Sequence, residues 1–116
     1  MILDLISKYS FIISDYKVIR YRHFATSYEL VAEVLFIDNS KLIMRDYLFA
    51  DGKRKYSFHW QDSNSNCIYR WDNVPHHQGI KTFPFHKHTG ETEAIEESEV
   101  MSLEKVLYFI SSHLNQ

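Results

Sequence analysis

The sequence contains few of the residues that mark special structural classes: one cysteine, three glycines and two prolines in 116 residues. Cys67 alone cannot form an intrachain disulfide, so the fold must be held together by its core. Three isolated glycines cannot build the glycine-rich loops of phosphate-binding or dinucleotide-binding folds. Because Glu33 interrupts the apolar run at 30–37, no segment approaches the ~20 apolar residues that cross a bilayer. A membrane role is therefore not expected.

Net charge and chain length further limit the class of protein and the number of domains. Thirteen basic and fifteen acidic residues give a net charge of −2 with histidine neutral, which is not the broad positive field of a general nucleic-acid binder. The N-terminal residues lack the basic, apolar and small-residue order of a signal peptide, so a cytoplasmic location is expected. One domain over 1–116 is predicted, because two domains of half this length would have marginal cores.

Alternating β-branched and aromatic residues predict a series of strands separated by turn-forming residues. The four clearest strands are 28–37, 41–50, 54–62 and 66–73. A fifth strand is expected within 11–22, after a short amphipathic helix over 2–9. Ser102 is a plausible N-cap for an amphipathic helix that ends near Leu114. The predicted class is α+β: an antiparallel meander of four to five strands packed against a C-terminal helix, with a short N-terminal helix.

Turn lengths predict which charges meet across the sheet. A three-residue loop at 38–40 puts Glu33 opposite Arg45, whereas a two-residue loop would put it opposite Asp46, a like-charge pair. The longer loop is therefore favoured. It also directs Asp46 toward the apolar face, either as a hydrogen-bonded structural carboxylate or as a site residue.

The next hairpin separates an aromatic face from a polar one. A two-residue turn within 62–66 gives strands whose side chains alternate between the two faces. The aromatic face then carries Phe58, Trp60, Tyr69 and Trp71. The polar face carries Ser57, His59, Arg70 and Asp72. The aromatic residues are more simply core than base-stacking surface.

Histidines are concentrated between residues 59 and 88. After the last clear strand come His76, His77, Lys81, His86, Lys87 and His88, with two prolines stiffening the connection. The strand and helix patterns do not require these histidines, and loops are where scaffolds commonly carry functional side chains. We therefore expect them to share a site with the polar face just upstream.

The sequence of this region resembles that of a known protein family. The three blocks that carry the resemblance are KYSFHWQD at 55–62, RWDNVPHH at 70–77 and TFPFHKH at 82–88. Together with the closing helix MSLEKVL at 101–107, they resemble the TumE family of toxins from toxin–antitoxin systems. One departure is that the family usually has two histidines after the second proline, whereas Phe85 takes the first of those positions here. The resemblance implies a toxin that acts on RNA and is encoded beside an antitoxin. It also implies that the antitoxin contains a DNA-binding part.

The residue types suit that activity. Metal-independent RNA cleavage needs a general base, a general acid and a cation beside the phosphate, and histidine, with an ordinary pKa of ~6.5, suits the first two roles. We predict His59 and either His76 or His77 as the acid–base pair, with Asp72 orienting an imidazole. The full predicted catalytic set is His59, Arg70, Asp72, His76, His77, His86 and His88. Lys81 and Lys87 are predicted to bind the substrate, and no cofactor is required.

Two other interpretations of the histidines stay open. His76, His77, His86 and His88 offer enough imidazoles for zinc or another transition ion, which makes a non-catalytic metal-binding or partner-binding protein the alternative function. The same side chains could instead hydrogen-bond an ordered loop onto the sheet. The glutamates between 91 and 99 are predicted to form a solvated linker. The sequence leaves the oligomeric state open.

Overall fold

The computed structural model describes residues 2–73, 86–89, 94–97 and 100–114, with backbone only for 86–89 and 94–97. Its elements are α1 (Ile2–Lys8), β1 (Ile13–Phe24), β2 (Ser27–Phe36), β3 (Lys41–Leu48), β4 (Arg54–Gln61), β5 (Cys67–Asp72), β6 (His86–Thr89), β7 (Ala94–Glu97) and α2 (Leu103–Leu114). The strands form one antiparallel sheet in sequence order from β1 to β7. The α+β class, the meander and both helices are confirmed.

The start of α2 follows from local hydrogen bonding. The Ser102 hydroxyl accepts a bond from the Lys105 N–H at 3.2 Å, and the Ser102 carbonyl accepts the first helical bond, from Val106, at 2.9 Å. This is the N-cap arrangement that satisfies otherwise unpaired amides at a helix start. Glu104 in the first turn also suits the positive end of the helix dipole. The predicted N-cap is confirmed.

The core lies between one face of the sheet and the two helices. Its buried strand residues alternate along β2, β3 and β4, and α1 and α2 contribute the apolar residues that pack on them. Trp60 and Trp71 are both 2% exposed, which confirms that they are core residues and makes them unavailable for stacking a base. The buried Trp60 indole N–H donates to the Ser40 hydroxyl at 3.0 Å, so this polar group is satisfied inside the core.

The predicted turn between β2 and β3 is wrong by one position. Residues 37–39 form the loop: the Phe36 N–H donates to the Ser40 carbonyl at 2.9 Å, and Asn39 adopts a positive φ of 70°. Asp38 stabilises this loop by accepting bonds from the backbone N–H and the hydroxyl of Ser40. Glu33 therefore lies opposite Ile43 instead of Arg45. The shift is two residues in register, so the predicted faces are unchanged.

The turn between β4 and β5 also differs from its prediction. The Asp62 N–H donates to the Asn66 carbonyl at 2.9 Å across a loop of residues 63–65, one residue longer than the predicted turn. A register shift between Trp60 and Gln61 compensates for the extra residue. Phe58 consequently lies opposite Trp71, and the predicted separation into an aromatic and a polar face is correct.

The acidic segment after residue 90 is more structured than expected. Ala94–Glu97 forms β7, which pairs with β6 and continues the sheet beyond the five predicted strands. The interpretation of this segment as a linker is therefore wrong for these four residues. Glutamate has a low β-propensity, and the pattern gave no alternation strong enough to predict a strand here.

Asp46 is a structural carboxylate on the helix-facing side of the sheet. It is 8% exposed and accepts two hydrogen bonds from the Arg54 guanidinium, from Nε and Nη2, both at 2.8 Å. The Tyr28 hydroxyl adds a bond at 3.3 Å, and Arg54 Nη1 donates to the Met101 carbonyl. The pair thus satisfies a buried carboxylate and fastens the segment before α2 to β4.

Two tyrosines beside this pair predict a loss of stability at high pH. Burial raises the pKa of Tyr28 and of Tyr56 above the ordinary 10.0. The unfolded chain therefore loses these protons at a lower pH than the folded chain. The contribution of the two tyrosines to the free energy of unfolding is thus fully present below pH 10 and falls above it. Each group contributes up to about 1.4 kcal/mol per pH unit in that window. Urea unfolding from pH 9 to 11.5 should show a shallower decline for Tyr56→Phe, but not for the exposed Tyr108→Phe.

Candidate functional site

The face of the sheet opposite the helices brings together the predicted polar residues of β4 and β5. His59 lies directly opposite Arg70, and Ser57 lies directly opposite Asp72. Opposed residues of antiparallel strands share a face and are close enough for their side chains to interact. His59, Arg70 and Asp72 therefore form one group, as the alternation of the two strands predicts.

Arg70 and Asp72 are also linked along β5. The Arg70 Nε lies 3.6 Å from an Asp72 carboxylate oxygen, which is an ion-pair distance longer than a direct hydrogen bond. Asp72 is 6% exposed, whereas about a third of the Arg70 side chain is exposed, 32%. The carboxylate thus lies beneath a guanidinium that solvent can reach, and it holds a cation beside His59.

The pairing of β5 with β6 extends these rows to two more of the predicted histidines. Arg70 is opposite His88, and Asp72 is opposite His86. One row across three neighbouring strands therefore runs through the positions His59, Arg70 and His88, and the next through Ser57, Asp72 and His86. Lys87 is opposite the buried Trp71, so its register position lies outside both rows.

A hollow of about 410 Å³ opens beside His59 and Arg70 on the same face. Arg45 and Lys55 line it and are exposed, and Tyr47 lines it and is partly buried. The register explains this grouping: Arg45 is opposite Ser57, and Tyr47 is opposite Lys55. The sequence prediction missed these three residues, although the same two-residue alternation, continued into β3, would have found them. With Arg70 the hollow carries three cationic side chains.

Asn73 fixes the end of β5. Its side-chain oxygen accepts the Tyr56 N–H at 2.8 Å, and its side-chain nitrogen donates to the Arg54 carbonyl at 2.6 Å. The amide side chain thus adds two hydrogen bonds to the backbone bond from the Asn73 N–H to the Tyr56 carbonyl at 3.4 Å. Asn73 is the last described residue before the segment that contains the predicted His76 and His77.

The remaining predicted site residues all come after β5 in the sequence. His76, His77 and Lys81 lie outside the described residues, and the side chains of His86, Lys87 and His88 do as well. In the described ranges, no group of three or more histidine, cysteine, aspartate or glutamate residues is arranged to hold a metal ion. Neither described helix has the length and apolar character needed to span a bilayer.

Comparison with known proteins identifies a family for the chain. A family model described as Toxin TumE matches residues 2–114, nearly the whole chain. No curated protein and no solved structure matches the chain.

Proposed function

The chain belongs to the Toxin TumE family, and from this premise we propose that it is a metal-independent, RNA-cleaving toxin whose active site includes His59, Arg70 and Asp72. Family membership indicates the toxin of a toxin–antitoxin system and implies a cognate antitoxin partner. The observation that carries the catalytic part of the proposal is the direct opposition of His59 and Arg70, with Arg70 ion-paired to Asp72.

The hollow beside these residues suits a polyanionic substrate. Arg45, Lys55 and Arg70 line it, so a strand of RNA can find cationic partners for several phosphates although the whole chain carries a net charge of −2. Tyr47 is partly buried in the same lining and offers an aromatic face for one unpaired base. Local charge, and not the overall balance, supports RNA as the substrate class.

The reaction we propose needs two imidazoles and one cation. One imidazole removes the proton of a 2′-hydroxyl, and that oxygen forms a bond to the adjacent phosphorus. The bond from phosphorus to the 5′-oxygen breaks, and a second imidazole protonates the leaving oxygen. Arg70 stabilises the negative charge that develops on the non-bridging oxygens. His59 takes one acid–base role in this scheme.

The second imidazole comes from the predicted set downstream. The position of His88 is opposite Arg70 and that of His86 is opposite Asp72, which supports either as a neighbour of the reacting phosphate. His76 and His77 stay predicted catalytic residues, and Lys81 a predicted substrate-binding residue. Lys87 is left out of the proposed site because its register position belongs with Trp71.

The products of RNA digestion test this proposal. Purified protein, stripped of metal with a chelator, should cleave single-stranded RNA into fragments that end in 2′,3′-cyclic phosphate and begin with a 5′-hydroxyl. The same oligonucleotide with a 2′-deoxy substitution at the cut site should resist, because the attacking oxygen is missing. Mass spectrometry of the fragments identifies the ends.

Two outcomes would contradict the mechanism. Cleavage of the 2′-deoxy substrate would exclude attack by the 2′-hydroxyl. No cleavage by the stripped protein, combined with stoichiometric uptake of zinc, would favour the alternative in which His76, His77, His86 and His88 bind a metal without catalysis. A chain carrying His59→Gln serves as the negative control for cleavage.

A further inference from the structure

Strand β1 is a long edge strand with an exposed apolar side. It has twelve residues, and β2 is its one neighbour among the described strands. Several large apolar side chains on it are between 39% and 82% exposed: Tyr16, Val18, Ile19, Tyr21 and Phe24. Open edges of this length usually carry devices that prevent pairing with another chain, or they are used for such pairing.

Two register shifts determine which face of the sheet each side chain of β1 occupies. The shifts occur between Ile13 and Asp15 and between Val18 and Arg20, and each adds one residue that changes the phase of alternation. As a result the aromatic and aliphatic residues Tyr16, Val18 and Tyr21 are opposite core-facing residues of β2. The cations Lys17, Arg20 and Arg22 all belong to the other face. The side that faces the helices is mainly apolar but includes His23, and the other side carries the three cations together with Asp15 and Phe24.

An apolar hollow adjoins the apolar side of this edge. It measures about 430 Å³ and lies between α1, the start of α2 and the end of β1. Ile2 and Leu5 of α1 line it, together with Tyr21 of β1 and Leu30 of β2. A side chain from a strand added to β1 can therefore enter a preformed apolar site while its backbone pairs with the open edge.

The basic side argues against a second copy as the occupant. A two-fold pairing of β1 with itself, with helices on the same side, would bring the cations Lys17, Arg20 and Arg22 of both copies together on one face, where Asp15 is the one acid of β1. On β2, Glu33 lies opposite Lys17 but is 3.4 Å from Lys41, and Glu29 lies opposite Arg22. Glu29 lies 3.7 Å from Arg20 and offsets part of this charge, but both side chains are about half exposed and the pair is weak. An acidic partner relieves the repulsion.

We propose that β1 is the binding site for the antitoxin, which adds an extended segment as an eighth strand. The segment alternates apolar and acidic residues, so its apolar side chains pack on Tyr16, Val18 and Tyr21 and fill the adjoining hollow. Its acidic side chains pair with Lys17, Arg20 and Arg22. This inference rests on the toxin assignment of the proposed function and adds the surface and the chemistry of the partner.

The affinity for the purified cognate antitoxin, measured by calorimetry, tests the assignment. Lys17→Glu combined with Arg22→Glu should weaken binding about 100-fold, roughly tenfold for each pair turned from attraction to repulsion. Lys53→Glu combined with Lys105→Glu changes the net charge equally at exposed positions away from β1, and should stay within about threefold of the wild type. Val18→Glu, on the apolar side, should weaken binding about tenfold.

Hydrogen exchange locates the contact independently. Amides of β1 should gain protection when the antitoxin is added. An unchanged β1 with protection elsewhere, or equal loss of affinity in both double variants, would overturn the proposal. So would a dimer of the free chain with β1 already protected, because the occupant would then be a second copy. RNA is absent from both measurements, so a failure of the proposed cleavage would be seen separately, in the digestion assay.

Discussion

His59→Gln is expected to lower the rate of RNA cleavage by about 10²- to 10⁴-fold, which is the usual contribution of one acid–base group. Glutamine keeps a polar side chain of similar length but cannot exchange a proton near neutral pH. His59 lies on the face opposite the helices and is partly buried, so the core beneath it is unaffected by the substitution. The loss should appear in the rate of the chemical step, measured in single-turnover reactions with excess enzyme.

His113→Gln is the matched control for this experiment. His113 is exposed near the end of α2 and packs on Phe109 with ring centroids 4.3 Å apart, on the helix side of the sheet. Its substitution should leave the cleavage rate within about threefold of the wild type, as ordinary surface changes do. Equal rates for both variants would remove His59 from the catalytic set and, with it, the main support for the site.

Arg54→Ala should lower the free energy of unfolding by about 3 kcal/mol, a large loss for the substitution of one polar residue. The substitution leaves the Asp46 carboxylate, 8% exposed, with the Tyr28 hydroxyl as its remaining bond in the network, and it removes the donor to the Met101 carbonyl. Part of the ion pair is solvent-exposed, so the lower end of the range for buried pairs applies. Urea denaturation at pH 7 measures the difference.

The double variant Asp46→Leu with Arg54→Met separates the cost of an orphaned charge from the value of the pair. Removing both charges leaves no unpaired carboxylate, so the double variant should be more stable than Arg54→Ala alone. Arg54→Lys keeps the charge but not the two parallel hydrogen bonds, and should fall between Arg54→Ala and the wild type. A loss below about 1 kcal/mol for Arg54→Ala would show that water replaces the guanidinium without penalty.

The faces of the strands were predictable because burial acts on every second residue. Leu42 and Met44 are 0% exposed, as their alternation indicates. The absolute register was not predictable in the same way, since it depends on one local choice. The Asp38 carboxylate accepts two hydrogen bonds from Ser40, which places the loop one position earlier than predicted. The hydrophobic pattern of the strands contains no information about these bonds. The hydrophobic pattern of a strand repeats every two residues, so a register error of two residues leaves the pattern unchanged.

The candidate site was predictable in its centre and not at its border. His59 and Arg70 meet across a single hairpin, so the alternation of two strands was enough to pair them. Arg45 and Lys55 join the site only through the pairing of β3 with β4, and neither residue type stands out on an ordinary exposed strand. The contribution of β6 depends on pairing across a long connection, which local sequence signals do not specify.

The longer 63–65 loop and the extra residue Ile68 in β5 compensate for each other between His59 and Arg70. The loop adds one residue and the bulge absorbs it, so the two changes cancel before the chain reaches Arg70. A relative with a tighter hairpin and a regular ladder would bring the same histidine and arginine together. The number of residues between them would be the same in both arrangements, so an unchanged spacing does not show which turn a related chain has, and an alignment needs no gap at that point.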